Sequence, residues 1–299
     1  MKKCIFCGKT EVEFDKNNCW TEEHIIPEAL GNETLKLFNV CKNCNNGLGT
    51  YVDNYFVNHM FLKLIRQSLG LKGQSGEVPN AFKEGKDKDG HRIRVDKNYL
   101  PTIVPYIEQN DNKVRIVASS KEEAKKMIQK KLSRINVPEN EIQKTLDKVD
   151  QTESQFSQPE IQYDCTVELN RFYMEALKIA FEYAVYKLGD EYLRDSRAIE
   201  IQQYLKSAID GKRKNECINF HGVCMTPKEI SEKLEIAKNL NCHILMMHPD
   251  TENRLIAEVI LFMEPALSFA VLISEDASKF YDSKCSLTEI VDIKTNSLG

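Results

Sequence analysis

The period of apolar positions changes several times along the chain. From Tyr51 to Leu69 the positions Tyr55, Phe56, His59, Phe61, Leu62 and Ile65 recur at helical spacing, and Gly70 ends the run, which predicts a helix with His59 packed on its apolar stripe. The Gly- and Ser-containing Lys72-Gly73-Gln74-Ser75-Gly76 that follows is the best candidate boundary. Strands are expected at His91 to Val95, Thr102 to Glu108 and Lys113 to Ala118, and Ser120-Lys121-Glu122-Glu123 opens a helix to about Arg134 as a capping box. Val149 to Pro159, poor in apolar residues, reads as a linker or a long loop. From Ile161 the pattern gives a strand, a helical region from Arg171 to Ile209 broken near Gly189, and a second capping box in Thr226-Pro227-Lys228-Glu229. Cys242 to His248, Arg254 to Met263 and Leu267 to Ser274 are β-rich runs whose short separations favour antiparallel neighbours. The class is therefore α+β: a small N-terminal domain over 1–72 and a larger mixed α+β region over 73–299, subdivided near 149–160.

The most apolar stretch, Leu255 to Ser274, contains Glu258, Glu264 and Pro265 and divides into two strand-like halves, so no membrane span is expected. Met1-Lys2-Lys3 is followed by Cys4-Ile5-Phe6-Cys7-Gly8, too short an apolar run for an export signal, which points to the cytoplasm. Apolar residues make up 41% and charged residues 29%, the balance of an ordinary folded chain. The net charge of −4 hides a gradient: −2 over 1–60, +6 over 61–150 and −8 over 151–299, so a polyanion would be met by the first half. Lys121, Lys125, Lys126, Lys130, Lys131 and Arg134, with Arg92 and Arg94, either track a phosphate backbone or form solvated surface.

Ten cysteines in a chain without an export signal point to metal ligation or buried thiols before disulfides. Cys4 and Cys7 form one C-x2-C pair and Cys41 and Cys44 another, the ligand set of a tetrahedral structural zinc closing a segment too short for a core of its own. Cys217, His221 and Cys224, with Cys242 and His243, have chelating spacing too, but their surroundings read as buried strand, where free cysteine is common.

The 33 residues between the two pairs contain Thr21-Glu22-Glu23-His24-Ile25-Ile26-Pro27-Glu28, and Asn45-Asn46-Gly47-Leu48-Gly49 follows the second pair. With the cysteines, residues 4 to about 53 resemble the HNH endonuclease family and its ββα-metal site. The resemblance implies that His24 is the general base. Glu23 would be the carboxylate ligand of a catalytic Mg²⁺ or Mn²⁺, where many relatives have Asp, and Asn45 the second ligand through its amide oxygen. It also implies that Asn39, fifteen residues after His24, ties the intervening loop and orients the histidine. Asp53 resembles an acidic position of such relatives, as a further metal ligand, a cap or a loop anchor; a structural role is preferred because a helix start favours a carboxylate.

The chemistry of these residue types points the same way. Phosphodiester hydrolysis needs a deprotonated water, charge stabilisation on the phosphorane and help for the departing 3′-oxygen. One neutral histidine and one oxygen-ligated divalent ion can supply this. Successive side chains of a strand face opposite ways, so Glu23 and His24 can share a site only where the strand bulges or ends, and Pro27 fits an ending. The expected function is a metal-dependent endonuclease cutting DNA, in restriction or anti-phage defence. The rear region would select the target or bind a protein partner or a second copy. The alternatives are an RNA-cutting nuclease and a non-catalytic, zinc-dependent nucleic-acid-binding or assembly protein.

Overall fold

The structure, a computed structural model, describes residues 2–73, 75–110, 113–153, 160–212, 222–226, 232, 240–280 and 287–293. In chain order, β1 (Trp20–His24) and β2 (Lys36–Cys41) form an antiparallel hairpin that leads directly into α1 (Lys42–Leu48). A π turn over Gly49–Asp53 carries the helix on into α2 (Asn54–Asn58), and α3 (Met60–Ser68) follows. Next come β3 (Glu84–Lys86), β4 (Arg92–Val95) and β5 (Pro101–Ile103) in one antiparallel sheet, and the hairpin of β6 (Tyr106–Asn110) and β7 (Lys113–Val117). The helices α4 (Lys121–Arg134), α5 (Glu139–Gln151), α6 (Leu169–Leu188) and α7 (Ser196–Ile209) precede β8 (Val223–Met225), β9 (Cys242–Pro249), β10 (Leu255–Ile260), β11 (Ser268–Ser274) and β12 (Thr288–Asp292). These last five strands make an antiparallel sheet in the order β12-β9-β10-β11-β8.

The chain forms two compact units, Asn80–Cys165 and the combination of Met1–Pro79 with Thr166–Gly299. Where the sequence suggests a break at 72/73, the first segment shares one core with residues from 166 onward: Ile5, Phe6, Leu30, Leu48 and Val52 belong to the same buried cluster as Phe181, Leu205, Ile209, Val259 and Phe269. Helix α6 lies at its centre. Its residues from Met174 to Val185 are all buried, the pattern of a helix covered on every side.

Close contacts at residues 5, 6 and 47 are among those that bind the front of the chain to this core. The Phe6 and Phe181 rings lie 5.6 Å apart. Gln202 on α7 donates its amide to the Ile5 carbonyl. At Gly47 a Cβ would stand 2.5 Å from Ile209 Cγ2 and 2.7 Å from the Ile209 carbonyl oxygen, so α1 approaches the end of α7 to a distance only glycine permits.

Several elements stand where the hydrophobic pattern places them, and the departures have local causes. The expected helix over 51–69 breaks at His59, whose ψ of 142° leaves the helix and whose Nδ1 instead caps α3 through the Phe61 N–H. Near Ile161 there is a single bridge, Gln162 to Lys86, in place of a strand. Val149 to Gln151 belong to α5, a helix the pattern did not bring out, and 154–159 lie outside the described residues. Thr226 spends its hydroxyl on buried Glu258 at 2.9 Å, and the rest of that expected capping box, 227–229, lies outside the described residues. Leu255 to Ser274 is the β10–β11 pair, and among the described residues no helix is long and apolar enough to cross a membrane.

His243 on β9 is fully buried and faces the front segment. Its Nδ1 accepts from the Phe262 N–H at 3.1 Å, which leaves Nε2 protonated to donate to the Leu30 carbonyl at 3.0 Å. Burial pulls its pKa down to about 4, opposed by the Leu30 carbonyl. The unfolded chain therefore takes up the proton first as pH falls, so stability drops from about pH 6.5 towards about pH 4 and levels off below it, by roughly 3 kcal/mol from this one group. Thermal unfolding midpoints measured across that window should fall several degrees in wild type and distinctly less in His243→Gln; parallel slopes would refute the assignment.

Candidate functional site

The four cysteines of the two C-x2-C pairs converge. Cys4, Cys7, Cys41 and Cys44 present sulfurs that all lie within 4.8 Å of one another, with Cys7 and Cys41 at 3.8 Å. A tetrahedron of zinc–thiolate bonds of ~2.3 Å has edges of roughly 3.8 Å, so the donor set and its spacing fit a structural zinc. A hydrogen bond from Cys44, opposed by burial, pulls the Cys4 thiol down to about 4, while burial pushes Cys7 up to about 11. The cluster joins residues 4–7, ahead of β1, to the junction of β2 and α1. Cys242 and His243 are buried on β9 with no metal-holding group around them among the described residues, and Cys217 and His221 lie outside those residues.

The hairpin and helix that follow are a ββα unit. The β1–β2 register shifts between Thr21 and Glu23, and β1 ends at His24. That bulge gives two neighbours separate surroundings: Glu23 is 4% exposed and points into the core, whereas His24 is only partly buried. Burial, and then the positive charge of Lys36, lower the His24 pKa, so the imidazole is neutral at physiological pH. Glu22 stands on the exposed side, paired with Lys36 at 2.8 Å. Asn45, on the first turns of α1, donates its amide nitrogen to the Glu22 carbonyl at 2.8 Å, which leaves its amide oxygen as the group available to a cation.

The loop-tying role expected of Asn39 falls to another residue. Asn32, fully buried, donates to the Ile26 and Leu35 carbonyls at 2.8 and 2.9 Å and accepts from the Thr34 and Leu35 N–H groups. It closes the loop between β1 and β2 from inside. Asn39 lies on β2 with its backbone carbonyl accepting from the Ile5 N–H at 3.1 Å and a buried Oδ1 that has no hydrogen-bond partner among the described residues. The signal for Asn32 was its place after Gly31, whose φ of 96° marks a left-handed turn.

A second residue the sequence reading missed stands at the centre of the site. Lys178 on α6 is 0% exposed, and its Nζ lies 2.8 Å from Glu23 Oε1, 3.3 Å from Asp53 Oδ1 and 3.6 Å from Glu182 Oε2. It also donates to the His24 carbonyl at 3.1 Å. Asp53, at the end of the π turn, makes no capping bond and instead anchors that turn to α6. Burial pushes the Glu23 carboxyl up to about 7 against the pull of Lys178, and pushes Glu175 and Glu182 far above the usual carboxylate range. Neither Glu175 oxygen has a hydrogen-bond partner among the described residues, and the nearby Asp53 charge adds to burial in disfavouring its ionisation. Burial works against the Lys178 ammonium, but Asp53, Glu182, Glu23 and Glu175 together outweigh it and hold the side chain protonated. The available signal was Glu175, Lys178 and Glu182 at i, i+3 and i+7 in an otherwise apolar helix.

One other group of ligand atoms lies within 4.8 Å among the described residues, Asp87, Asp89 and His91 in the second unit. It is internally bonded: His91 meets Asp87 at 3.1 Å and Glu108 at 3.2 Å.

Substitution of one knuckle cysteine separates a metal site from four unliganded thiols. Purified wild type should carry one zinc per chain, and Cys41→Ser should lose it together with at least about 3 kcal/mol of stability. Elemental analysis and thermal unfolding check both, and a folded, metal-free variant of wild-type stability would refute the structural role.

Comparison with known proteins bears on the same segment. Residues 4–61 match the model of the HNH endonuclease family. No curated protein matches the chain, and no solved structure matches it. The matched segment holds both cysteine pairs, the ββα unit and the Lys178-bound Glu23 and Asp53. The chain carries, at its N-terminal end, a domain of the HNH endonuclease family.

Proposed function

We propose that this protein is a metal-dependent HNH endonuclease that hydrolyses DNA phosphodiester bonds. The observation that carries the reading is His24: a neutral, partly buried imidazole at the end of β1 within the matched segment. A neutral imidazole accepts a proton from water as that water's oxygen attacks phosphorus, and the P–O3′ bond breaks on the opposite side. Hard oxygen donors suit Mg²⁺ or Mn²⁺, and two are at hand: the amide oxygen of Asn45 and the Glu23 oxygen that Lys178 leaves free. A divalent ion held there would neutralise charge on the phosphorane and the departing oxygen. Asn32 fixes the loop after Pro27 and so the exit of the chain from the base. By analogy of architecture, a nuclease built into a larger core suits target-restricted cutting such as restriction of foreign DNA.

A second reading, a zinc-dependent nucleic-acid-binding or assembly protein without turnover, is favoured by the Glu23–Lys178 pair, which gives Glu23 a cation without any metal.

Wild type and His24→Ala incubated with plasmid, single-stranded DNA and RNA, with Mg²⁺, Mn²⁺ or chelator, decide between them. The expected result is divalent-dependent cutting of DNA that falls by about 10²-fold or more in His24→Ala, with zinc content and folding unchanged. Cutting of RNA alone would move the substrate class, and a variant that cuts at the wild-type rate would refute His24 as base.

A further inference from the structure

Lys178 is out of place as a packing residue. An ammonium removed from water is strongly unfavourable unless charges and hydrogen bonds replace its hydration, and a methionine of similar length would fill the same volume without that demand. Yet Lys178 is 0% exposed in the middle of a helix whose other inward residues are nearly all apolar. Its compensation lies at one spot. Lys178 donates to Glu23 at 2.8 Å and to the His24 carbonyl at 3.1 Å, and the Asp53 and Glu182 carboxyls stand at 3.3 and 3.6 Å as ion-pair partners.

Two of these partners belong to consecutive residues at the end of β1. Lys178 holds the side chain of the first and the carbonyl of the second, so it brackets the His24 backbone from both sides. That peptide follows the register shift in β1, where a strand has most freedom to rotate. The direction in which the His24 imidazole leaves the strand depends on this backbone, and the imidazole makes no hydrogen bond of its own among the described residues. Asp53 extends the same grip to the π turn behind α1, the helix that carries Asn45.

We propose that Lys178 is a positioning residue of the nuclease centre, gripping Glu23 and the His24 carbonyl so that helix α6 sets where the imidazole stands. The role rests on the nuclease reading given above. It makes the cutting site a joint product of residues 20–53 and a helix more than a hundred residues further along the chain. Glu182, the most distant of the four partners at 3.6 Å and with no hydrogen bond on either carboxyl oxygen among the described residues, belongs to the balance of charge around Lys178.

The test compares full-length wild type, Lys178→Met and Glu182→Gln by steady-state cutting of DNA, zinc content and amide hydrogen exchange. Lys178→Met should lower kcat by about tenfold or more, with KM within about twofold and zinc retained. Its exchange should quicken at 22–26 and around 53 while α7 and β9–β11 stay protected. Glu182→Gln should cut within about twofold of wild type. Normal exchange at 22–26 in a folded Lys178→Met, or faster exchange spread evenly over α6 and the sheet, would overturn the proposal, since the second pattern marks a residue that only holds the core together. Should Lys178→Met fail to fold, Glu23→Gln/Lys178→Met removes both members of the buried pair. Exchange at 22–26 faster than in Glu23→Gln alone then supports the grip, and equal exchange refutes it. A wild type that cuts nothing, while exchange at 22–26 still responds to Lys178→Met, would sink the nuclease reading and leave the grip on the strand end standing.

Discussion

An ammonium group cannot stay in the centre of a protein without negative partners, and in this chain that requirement decides how the front of the molecule is held. Lys178 has no water to turn to, so Glu23, Asp53, Glu182 and the His24 carbonyl must come to it. The ends of β1 and of the π turn are thereby drawn onto α6. Removing one partner of such a buried pair typically costs ~3–5 kcal/mol, because the other is left charged and dry. Evolution of a purely structural contact would have found an apolar solution easier.

The zinc knuckles and the core divide the work of building the domain. The cysteines tie residues 4–7 to the start of α1 and would hold a segment too short for a core of its own. The core supplies the rest through Phe181, Gln202, His243 and the close approach of Gly47 to Ile209. A front domain that depended on zinc alone would need none of these. The arrangement explains why the compact unit containing the HNH segment also contains 166–299.

Legibility in the sequence followed the range of the interactions. The cysteine pairs could be read because chelation imposes fixed spacing, and the ββα unit because Glu23, His24 and Asn45 sit at family distances from them. Helices α4, α6 and α7 and strands β9 to β11 could be read from periodicity and caps. What escaped was non-local or locally ambiguous. Asn32 and Asn39 are both polar residues in the same short loop and strand, and only the folded backbone shows which amide meets the Ile26 and Leu35 carbonyls. Lys178 lies 154 residues from His24, and no local pattern connects them. Helix α5 was lost because its apolar face is narrow, with only Ile142 and Leu146 buried. The break expected at 72/73 reflected a true change in composition, but composition does not register that the chain returns at 166 to finish the first core.

The central claim is that one site combines the donors of the HNH segment with the buried lysine of α6. Anomalous diffraction from crystals of the full chain soaked in Mn²⁺, collected at the zinc and manganese edges, tests it most directly. The account expects zinc among Cys4, Cys7, Cys41 and Cys44, and manganese beside Asn45 and Glu23 with Lys178 still bound to Glu23 and the His24 carbonyl. Manganese found only at Asp87, Asp89 and His91, or a Glu23 site from which Lys178 has been displaced, would contradict it.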